Sequence, residues 1–565
     1  MGKEKISGGE ALMRSLIHEG VTTLFGYPGG AIMPVYDSLY GYRSKLNHIL
    51  VRHEQGAVHA AQGYARVSGK VGVCLVTSGP GATNTITGIA DAMMDSTPIV
   101  VIAGQVGASM LGSDAFQECD LVGVTQPISK WSYQIRRPED VAWAVSRAFY
   151  IARTGRPGPV VLDFAKNAQV GMVDYEPEHI DFIRSYVPVP KTDEASVREA
   201  ADLINASKRP FILIGQGVEI GGAQDEVREL IERADIPAGC TLLGLSALPS
   251  DHPLNMGMLG MHGSLANSVK TQECDLLIAV GMRFDDRITG KLSTYATQAK
   301  KIHFEIDPSE VNKNVPVDVA VLGNCKQTLA AVLKLVKKNE HAAWKESFKE
   351  HLDKEREIVI EPEIHPADGP IKMGEVVRKV TEMTDNKAVL VTDVGQNQML
   401  SARYFKFTQN RSIVTSGGMG TMGFGLPAAI GATFGAPDRL VCLFLGDGGM
   451  QMTIQELGTI MEQHSPVKII LLNNNYLGNV RQWQEMFFGR RYSFTPMMNP
   501  DYNMIASAYK IPNQTVVKRE ELEDAIRKMI NTEGPYLLQV AVIEEGKVLP
   551  MCCPGNDVDD MVLDY

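Results

Sequence analysis

No apolar run in this chain approaches the roughly 18–20 residues that a membrane-spanning helix needs, so none is expected. The eight cysteines contain no Cys-x-x-Cys pair, and only Cys552 and Cys553 are adjacent. That pattern offers neither a zinc site nor a disulfide framework, and scattered reduced thiols suit a cytoplasmic chain. Basic residues are in deficit: 55 Lys and Arg against 66 Asp and Glu leave a net charge of −11. The deficit argues against nucleic-acid binding, which needs a concentrated basic face, but local cations can still attract a small anionic substrate. Met1-Gly2-Lys3-Glu4-Lys5 has no apolar signal core, and no Arg/Ser-rich, acid-poor segment follows, so no leader is expected. Low-complexity sequence and short repeats are also missing.

What is there is a chain too long for one core. At roughly 100–200 residues per domain, 565 residues divide into three or four units. Amphipathic helix is expected over 8–20. Short β-branched runs at 46–51, 71–76, 99–103 and 160–163 each lead into Gly, Ser, Pro, Asp or a charged residue, as parallel strands feeding loops do. The mixture of proline and charge at 188–193 reads as a linker. A second unit has strands at 211–214, 276–280 and 301–306. The highly charged stretch 334–363 is expected to hold one exposed helix, followed by a connector with Pro362, Pro366 and Pro370. The last unit has strands at 388–392, 440–445, 467–473 and 536–542. The expected fold class is α/β, with three doubly wound parallel-sheet domains over 1–185, 190–345 and 370–565.

In such sheets ligands bind beyond the carboxyl ends of the strands. Strand 440–445 runs into Gly446-Asp447-Gly448-Gly449, and strand 467–473 ends at Asn473-Asn474. The glycines allow close backbone approach. Asp447 offers a hard anionic oxygen and Asn474 a neutral one, donors that suit Mg²⁺ completed by phosphate and water. Other residues invite attention without settling a role. Glu54, in Arg52-His53-Glu54, follows a strand and opens the Ala/Gly-rich helix 57–65. Gly417 to Gly425 is glycine-dense and leads into a small-residue helix. Ser78-Gly79-Pro80-Gly81 lacks the full GxGxxG spacing of a dinucleotide loop. Arg287 can meet a carboxylate by a charge-assisted fork, or simply pair with Asp285 or Asp286. Trp483 can line a pocket or fill a core.

GDG followed by NN at this separation resembles the thiamine-diphosphate enzymes. The resemblance narrows to acetohydroxyacid synthase and covers nearly the whole chain. It runs through Phe25-Gly26-Tyr27-Pro28-Gly29-Gly30, Thr77 to Asn84, Asp114-Ala115-Phe116-Gln117-Glu118, Met258 to Gly263 and Arg283-Phe284-Asp285-Asp286-Arg287. It implies that Asp447, Asn474 and the Tyr476 carbonyl hold Mg²⁺ on the diphosphate. Gly29, Gln396, Asn397, Gly446, Gly448 and Gly449 would lie around the cofactor, and Gly420 and Met422 would grip its aminopyrimidine. Many relatives carry His where Asn397 stands. Glu54 becomes the activating acid, shielded from water so that its pKa rises toward the working range, and is supplied across a subunit interface. Phe116, Gln117, Lys166, Arg287 and Trp483 would form the substrate pocket; around Lys166, Ala165 and Asn167 depart from the usual Pro-Lys-Asp. The middle unit resembles the FAD-binding version, with contacts from Arg156, Gly215, Gly217, Thr241, Leu242, Met261, His262, Gly263, Gly281, Arg283, Asp285, Glu305, Ile306 and Asp307. The implied reaction decarboxylates pyruvate and joins the two-carbon unit to pyruvate or 2-ketobutyrate, toward the branched-chain amino acids. A homodimer or homotetramer and a separate regulatory small subunit are implied as well. A flavin-dependent pyruvate oxidase and a non-catalytic homologue remain as alternatives.

Overall fold

The computed structural model describes residues 4–565; Met1, Gly2 and Lys3, which the reading of the chain's start includes, lie outside them. Three six-stranded parallel sheets organise the chain. In the first, the order is Asn47–Leu50, Thr23–Gly26, Gly72–Val76, Ile99–Gln105, Pro159–Ala165, Trp131–Ile135. The third has the same topology: Ile413–Val414, Val389–Thr392, Val441–Gly446, Val467–Asn473, Tyr536–Ala541, Asn513–Val516. The middle sheet differs, running Asn255–Met258, Ala238–Cys240, Pro210–Ile214, Leu276–Val280, Lys300–Glu305, Val319–Leu322. Numbered within that sheet the order is 3-2-1-4-5-6, the arrangement in which dinucleotides bind at the point where strand order reverses.

The central strands are buried on both faces, which is why they read as continuous apolar runs. Ile99–Gln105, Pro159–Ala165, Leu276–Val280 and Val467–Asn473 are buried throughout. The strands that escaped the sequence reading are mostly short or lie toward the edges. Ile413–Val414 has two residues, and Trp131–Ile135 is half-buried along most of its length. Thr23–Gly26 is internal but only four residues long, too short for a period to show. Helix Gly8–His18 is capped by the Ser7 hydroxyl, which accepts from the Glu10 amide; it stops before Gly20, whose φ of +80° is left-handed.

The charged stretch departs from expectation. Helix Ala342–Glu355 is not simply exposed, because Trp344, Phe348 and Glu355 are buried. Helical backbone continues through Arg356–Ile360 into Glu361–Ile364, and Pro362 sits in the first turn of that last segment rather than in a connector. A first turn tolerates proline because its amide would lack a helical partner anyway.

The first and third sheets meet through helices Glu54–Ser68 and Gly425–Gly435. A Cβ at Gly63 would collide with the Ala428 carbonyl, and one at Gly431 with that of Ala60. The glycines let two backbones pack in direct contact, and this fixes how the strand ends of the two sheets face each other.

Candidate active site

At the carboxyl ends of the third sheet, Asp447 opens helix Asp447–Met452 and is only 1% exposed. One carboxylate oxygen accepts from Asn499 Nδ2 at 2.7 Å and the other from the Gly448 amide at 3.1 Å. Burial pushes the Asp447 carboxyl above its usual range, and those hydrogen bonds offset only part of the effect. Asn474, also buried, follows the neighbouring strand; its oxygen accepts from the Tyr476 amide at 3.3 Å. Asn499 donates besides to Asn473 Oδ1 at 3.1 Å and Asn475 Oδ1 at 3.2 Å, so one amide joins the two strand ends. Nothing in the sequence signals Asn499, which lies some fifty residues beyond Asp447 and carries no motif. No group of three or more His, Cys, Asp or Glu converges among the described residues. A cation here would rest on Asp447 together with neutral oxygens.

Gln396 and Asn397 begin helix Gln396–Tyr404 beside this site. Gln396 Oε1 accepts from Asn474 Nδ2 at 3.3 Å, while Gln396 Nε2 donates to the Gly546 carbonyl at 2.7 Å. Asn397 Oδ1 is buried without a partner. A Cβ at Gly446 would stand 3.5 Å from the Asn397 amide nitrogen, and one at Gly449 would meet the Asp393 carboxylate. Met422 Cε would stand 3.4 Å from a Cβ at Gly448, so Met422 borders the same turn.

The glycine-dense loop is held from the first sheet's side. Asp91 accepts from the Ser416 and Thr421 hydroxyls. Asp95 accepts from the amides of Gly417 at 2.8 Å and Gly418 at 2.7 Å, and pairs with buried Arg66 at 2.8 Å. From the other side, Asp393 accepts from the Gly423 and Gly425 amides at 3.1 and 2.9 Å. The loop carrying Gly420 and Met422 is thus positioned by carboxylates from two domains.

A cavity of about 1410 Å³ opens between the three sheets. Its walls include Arg156, Gly217, Thr241, Leu242, Met261, His262, Gly281, Arg283, Asp285, Glu305 and Ile306, with Arg287, Gly420 and Trp483. Gly215, Gly217 and Gly281 lie just past strands Pro210–Ile214 and Leu276–Val280, at the reversal of strand order. A Cβ at Gly217 would fall 2.6 Å from the Gly281 Cα; these glycines pack backbone on backbone and keep the crevice open. Asp307 lies beyond that wall, 3.7 Å from Arg156, which also pairs with Glu310 at 2.7 Å. Glu305 accepts from the amides of Ile306 and Asp307. Gly263 forms a turn with Gly260, and burial holds the His262 imidazole neutral, down to about 4. Arg287 is 57% exposed and only loosely near Asp286, at 3.8 Å. The Trp483 ring meets Phe487 edge-on at 5.6 Å and is not among the fully buried side chains.

The remaining residues gather at the first sheet's strand ends. Glu54 begins its helix with Oε2 accepting from Asn84 Nδ2 at 2.9 Å. It is half-buried rather than shielded in the single chain. A Cβ at Gly81 would lie 3.3 Å from Glu54 Oε1, and one at Gly79 would crowd the Gln117 backbone. The turn 78–81 therefore brings Glu54 and Gln117 together. Gly29 packs on Thr77 in the same region. Phe116 is 86% exposed, and Lys166 begins a short helix with its side chain in solvent. None of Glu54, Phe116, Gln117 or Lys166 lines the large cavity.

Comparison with known proteins returns matches along the chain. Three family models fit: the thiamine pyrophosphate enzyme N-terminal TPP binding domain over residues 6–124, the central domain over 197–332, and the C-terminal TPP binding domain over 393–540. The acetolactate synthase isozyme 2 large subunit of Escherichia coli is 43% identical over 558 residues, covering 99% of each chain. A probable acetolactate synthase large subunit of Methanocaldococcus jannaschii is 43% identical, covering 99% of this chain and 95% of its own. The acetolactate synthase large subunit of Lactococcus lactis is 42% identical, covering 98% and 96%.

Proposed function

The chain belongs to the acetolactate synthase large subunits, within the thiamine pyrophosphate enzymes, and on that premise we propose that it decarboxylates pyruvate and joins the two-carbon unit to a second 2-keto acid. The products are 2-acetolactate from pyruvate and 2-aceto-2-hydroxybutyrate from 2-ketobutyrate, both precursors of branched-chain amino acids. The observation that supports this reading is the cavity wall shared by Arg287, Trp483 and Gly420, a guanidinium and an indole on the same wall as the loop proposed to hold the aminopyrimidine.

Thiamine diphosphate supplies the electron sink for loss of CO₂. Mg²⁺ fits the strand ends, because Asp447 is a buried carboxylate that pairs with no Lys or Arg among the described residues, and Asn474 and the Tyr476 carbonyl would add hard oxygens. FAD fits the middle domain, whose strand order, glycine crevice and cavity volume suit a dinucleotide. Glu54 holds the proton on the aminopyrimidine side, with Asn84 orienting its carboxyl. Gln117 and Phe116 enclose the first keto acid, and Lys166 adds a cation beside it. Arg287 takes the carboxylate of the second keto acid, and Trp483 touches its alkyl end. The glycine loop fixes the cofactor while the surrounding domains exclude water.

The site is completed by a second copy of the chain. Support comes from Glu54, half-buried in the single chain, from exposed Phe116 and Lys166, and from Met498, 97% exposed beside the Asn499 that bonds Asp447, with Phe494 equally exposed four residues before it. Such apolar exposure is costly in a monomer. A homodimer is the minimum, a homotetramer is compatible, and a regulatory small subunit goes with the large-subunit character of its relatives. The free thiols agree with a cytoplasmic setting.

The test is incubation of purified protein with pyruvate, Mg²⁺, thiamine diphosphate and FAD, followed by product identification. Acetolactate with the flavin remaining oxidised is the expected result. Acetate as main product, with flavin bleaching at the turnover rate, would replace this reading with the oxidase.

A further inference from the structure

Most charges of helix Ala342–Glu355 face water, but its last residue does not. Glu355 is 2% exposed, and it forms an ion pair with Arg403, whose side chain is 5% exposed. Arg403 belongs to the last turn of helix Gln396–Tyr404, in the third domain. Its guanidinium also donates to the carbonyls of His262 at 2.7 Å and Gly263 at 3.0 Å. The second Glu355 oxygen accepts from the Leu265 amide at 2.6 Å. One buried pair therefore holds three backbone groups of a single turn in the middle domain.

That turn forms part of the large cavity's wall through Met261 and His262. Its other restraints are local backbone bonds, from the Gly263 amide to the Gly260 carbonyl and from the Ser264 amide to the Met258 carbonyl, with a bond from the Met261 amide to the Arg287 carbonyl, one from the Cys552 amide to the Met261 carbonyl, and His262 Nδ1 against the Pro550 carbonyl. Without the pair, the 262–265 side of the turn would lose its anchors to helix Gln396–Tyr404 and to the charged helix, keeping only the His262 contact with Pro550 as a link to the third domain. Burying two charges is a poor way to gain stability, since well-packed apolar residues commonly do as well. What the pair supplies is direction: a planar fork reaches two carbonyls at once, and the carboxylate takes the amide beyond them.

We propose that Arg403 and Glu355 are positioning residues for the Met261-His262-Gly263 turn, and so for the flavin and the Arg287 carboxylate receptor. The assignment rests on the flavin reading given above. Helix Gln396–Tyr404 carries Gln396 and Asn397 at its start and Arg403 at its end. It links the diphosphate side of the site to the flavin wall.

The test uses two variants of the full chain. Glu355→Leu with Arg403→Met replaces the pair by apolar bulk. Arg403→Lys keeps the charge and loses the fork. FAD is titrated into apoenzyme by fluorescence quenching, and thiamine diphosphate with Mg²⁺ is titrated separately. Amide exchange is followed at 259–265 and at Val441–Gly446. The double variant should bind FAD weaker by on the order of tenfold or more, with thiamine diphosphate affinity held. The Leu265 amide should lose protection while Val441–Gly446 keeps it, and Arg403→Lys should show a smaller loss of the same kind. Unchanged flavin affinity and exchange would overturn the proposal. A parallel loss of both cofactors with lower melting temperature in both variants would also overturn it, leaving a purely structural pair. If the wild-type chain takes up no FAD, the flavin reading fails on its own, and the exchange measurements still decide whether the pair holds the turn.

Discussion

Glu54 is the residue proposed to carry the proton chemistry, and its position agrees with that work: a carboxylate at a helix start, oriented by Asn84 and edged by Gly81. Glu54→Gln preserves shape and removes the transferable proton. Thiamine diphosphate binding should persist while turnover falls by roughly 10²–10⁴-fold; near-normal turnover would remove Glu54 from the mechanism. Asp447→Ala deletes the anionic ligand proposed for the strand-end site and should abolish Mg²⁺-dependent cofactor binding, read by titration. Unchanged affinity would refute the metal assignment. Trp483 lies on the cavity wall, which favours a substrate contact over a core role. One methylene against an apolar wall is worth about 1–3 kcal/mol. Trp483→Leu should therefore leave pyruvate self-condensation largely active and remove most of any preference for 2-ketobutyrate. Competition between the two keto acids, scored by the ratio of their products, checks this, and an unchanged ratio would return Trp483 to a structural role.

Where helix Glu54–Ser68 begins, it rests on Glu456. That carboxylate accepts from the Arg52 amide at 3.0 Å and the Thr459 hydroxyl at 2.8 Å. Burial pushes its pKa up to about 7 from an ordinary 4.5. The folded chain thus binds this proton more tightly than the unfolded one, so the group's contribution is complete below about 4.5 and is lost as pH rises toward 7. Across that window the cost is about 3 kcal/mol, at 1.36 kcal/mol per unit of pKa. Glu456→Gln keeps an acceptor and cannot ionise. It should melt higher than wild type at pH 8 and lose that advantage at pH 4, as measured by calorimetry; an equal gain at both would mean that ionisation of Glu456 plays no part. The same helix explains why small residues crowd 57–65. Their sequence signature is close packing, but the partner, helix Gly425–Gly435, lies more than 350 residues away and cannot be named from pattern.

In the proposed homodimer, assembly would decide whether the two half-sites meet. The cavity set and the Glu54 set occupy separate regions of one chain, and a homodimer would bring each against its complement. Glu54→Gln and Asp447→Ala should each be inactive alone. Mixed under conditions that exchange subunits, they should recover activity, because a hybrid has one doubly damaged site and one intact site. With half of the dimers hybrid, roughly a quarter of the wild-type sites return. No recovery from demonstrably exchanged subunits would place the complete site within one chain.

The three α/β units and the central strands were legible in the sequence, because doubly buried strands must be apolar, and so was the placement of Asp447 and Asn474 just past two carboxyl ends. The family, too, could be read there, through motifs that keep their order along nearly the whole chain. Short and edge strands such as Ile413–Val414 were not, since their pairing comes from neighbours rather than from period. Nor could the charged stretch reveal that Glu355 turns inward to Arg403, or the glycine loop that Asp91 and Asp95 hold it. Those contacts join residues between 48 and about 330 positions apart. A carboxylate's burial and partner depend on which backbone groups the fold brings to it, and only the tertiary structure fixes that.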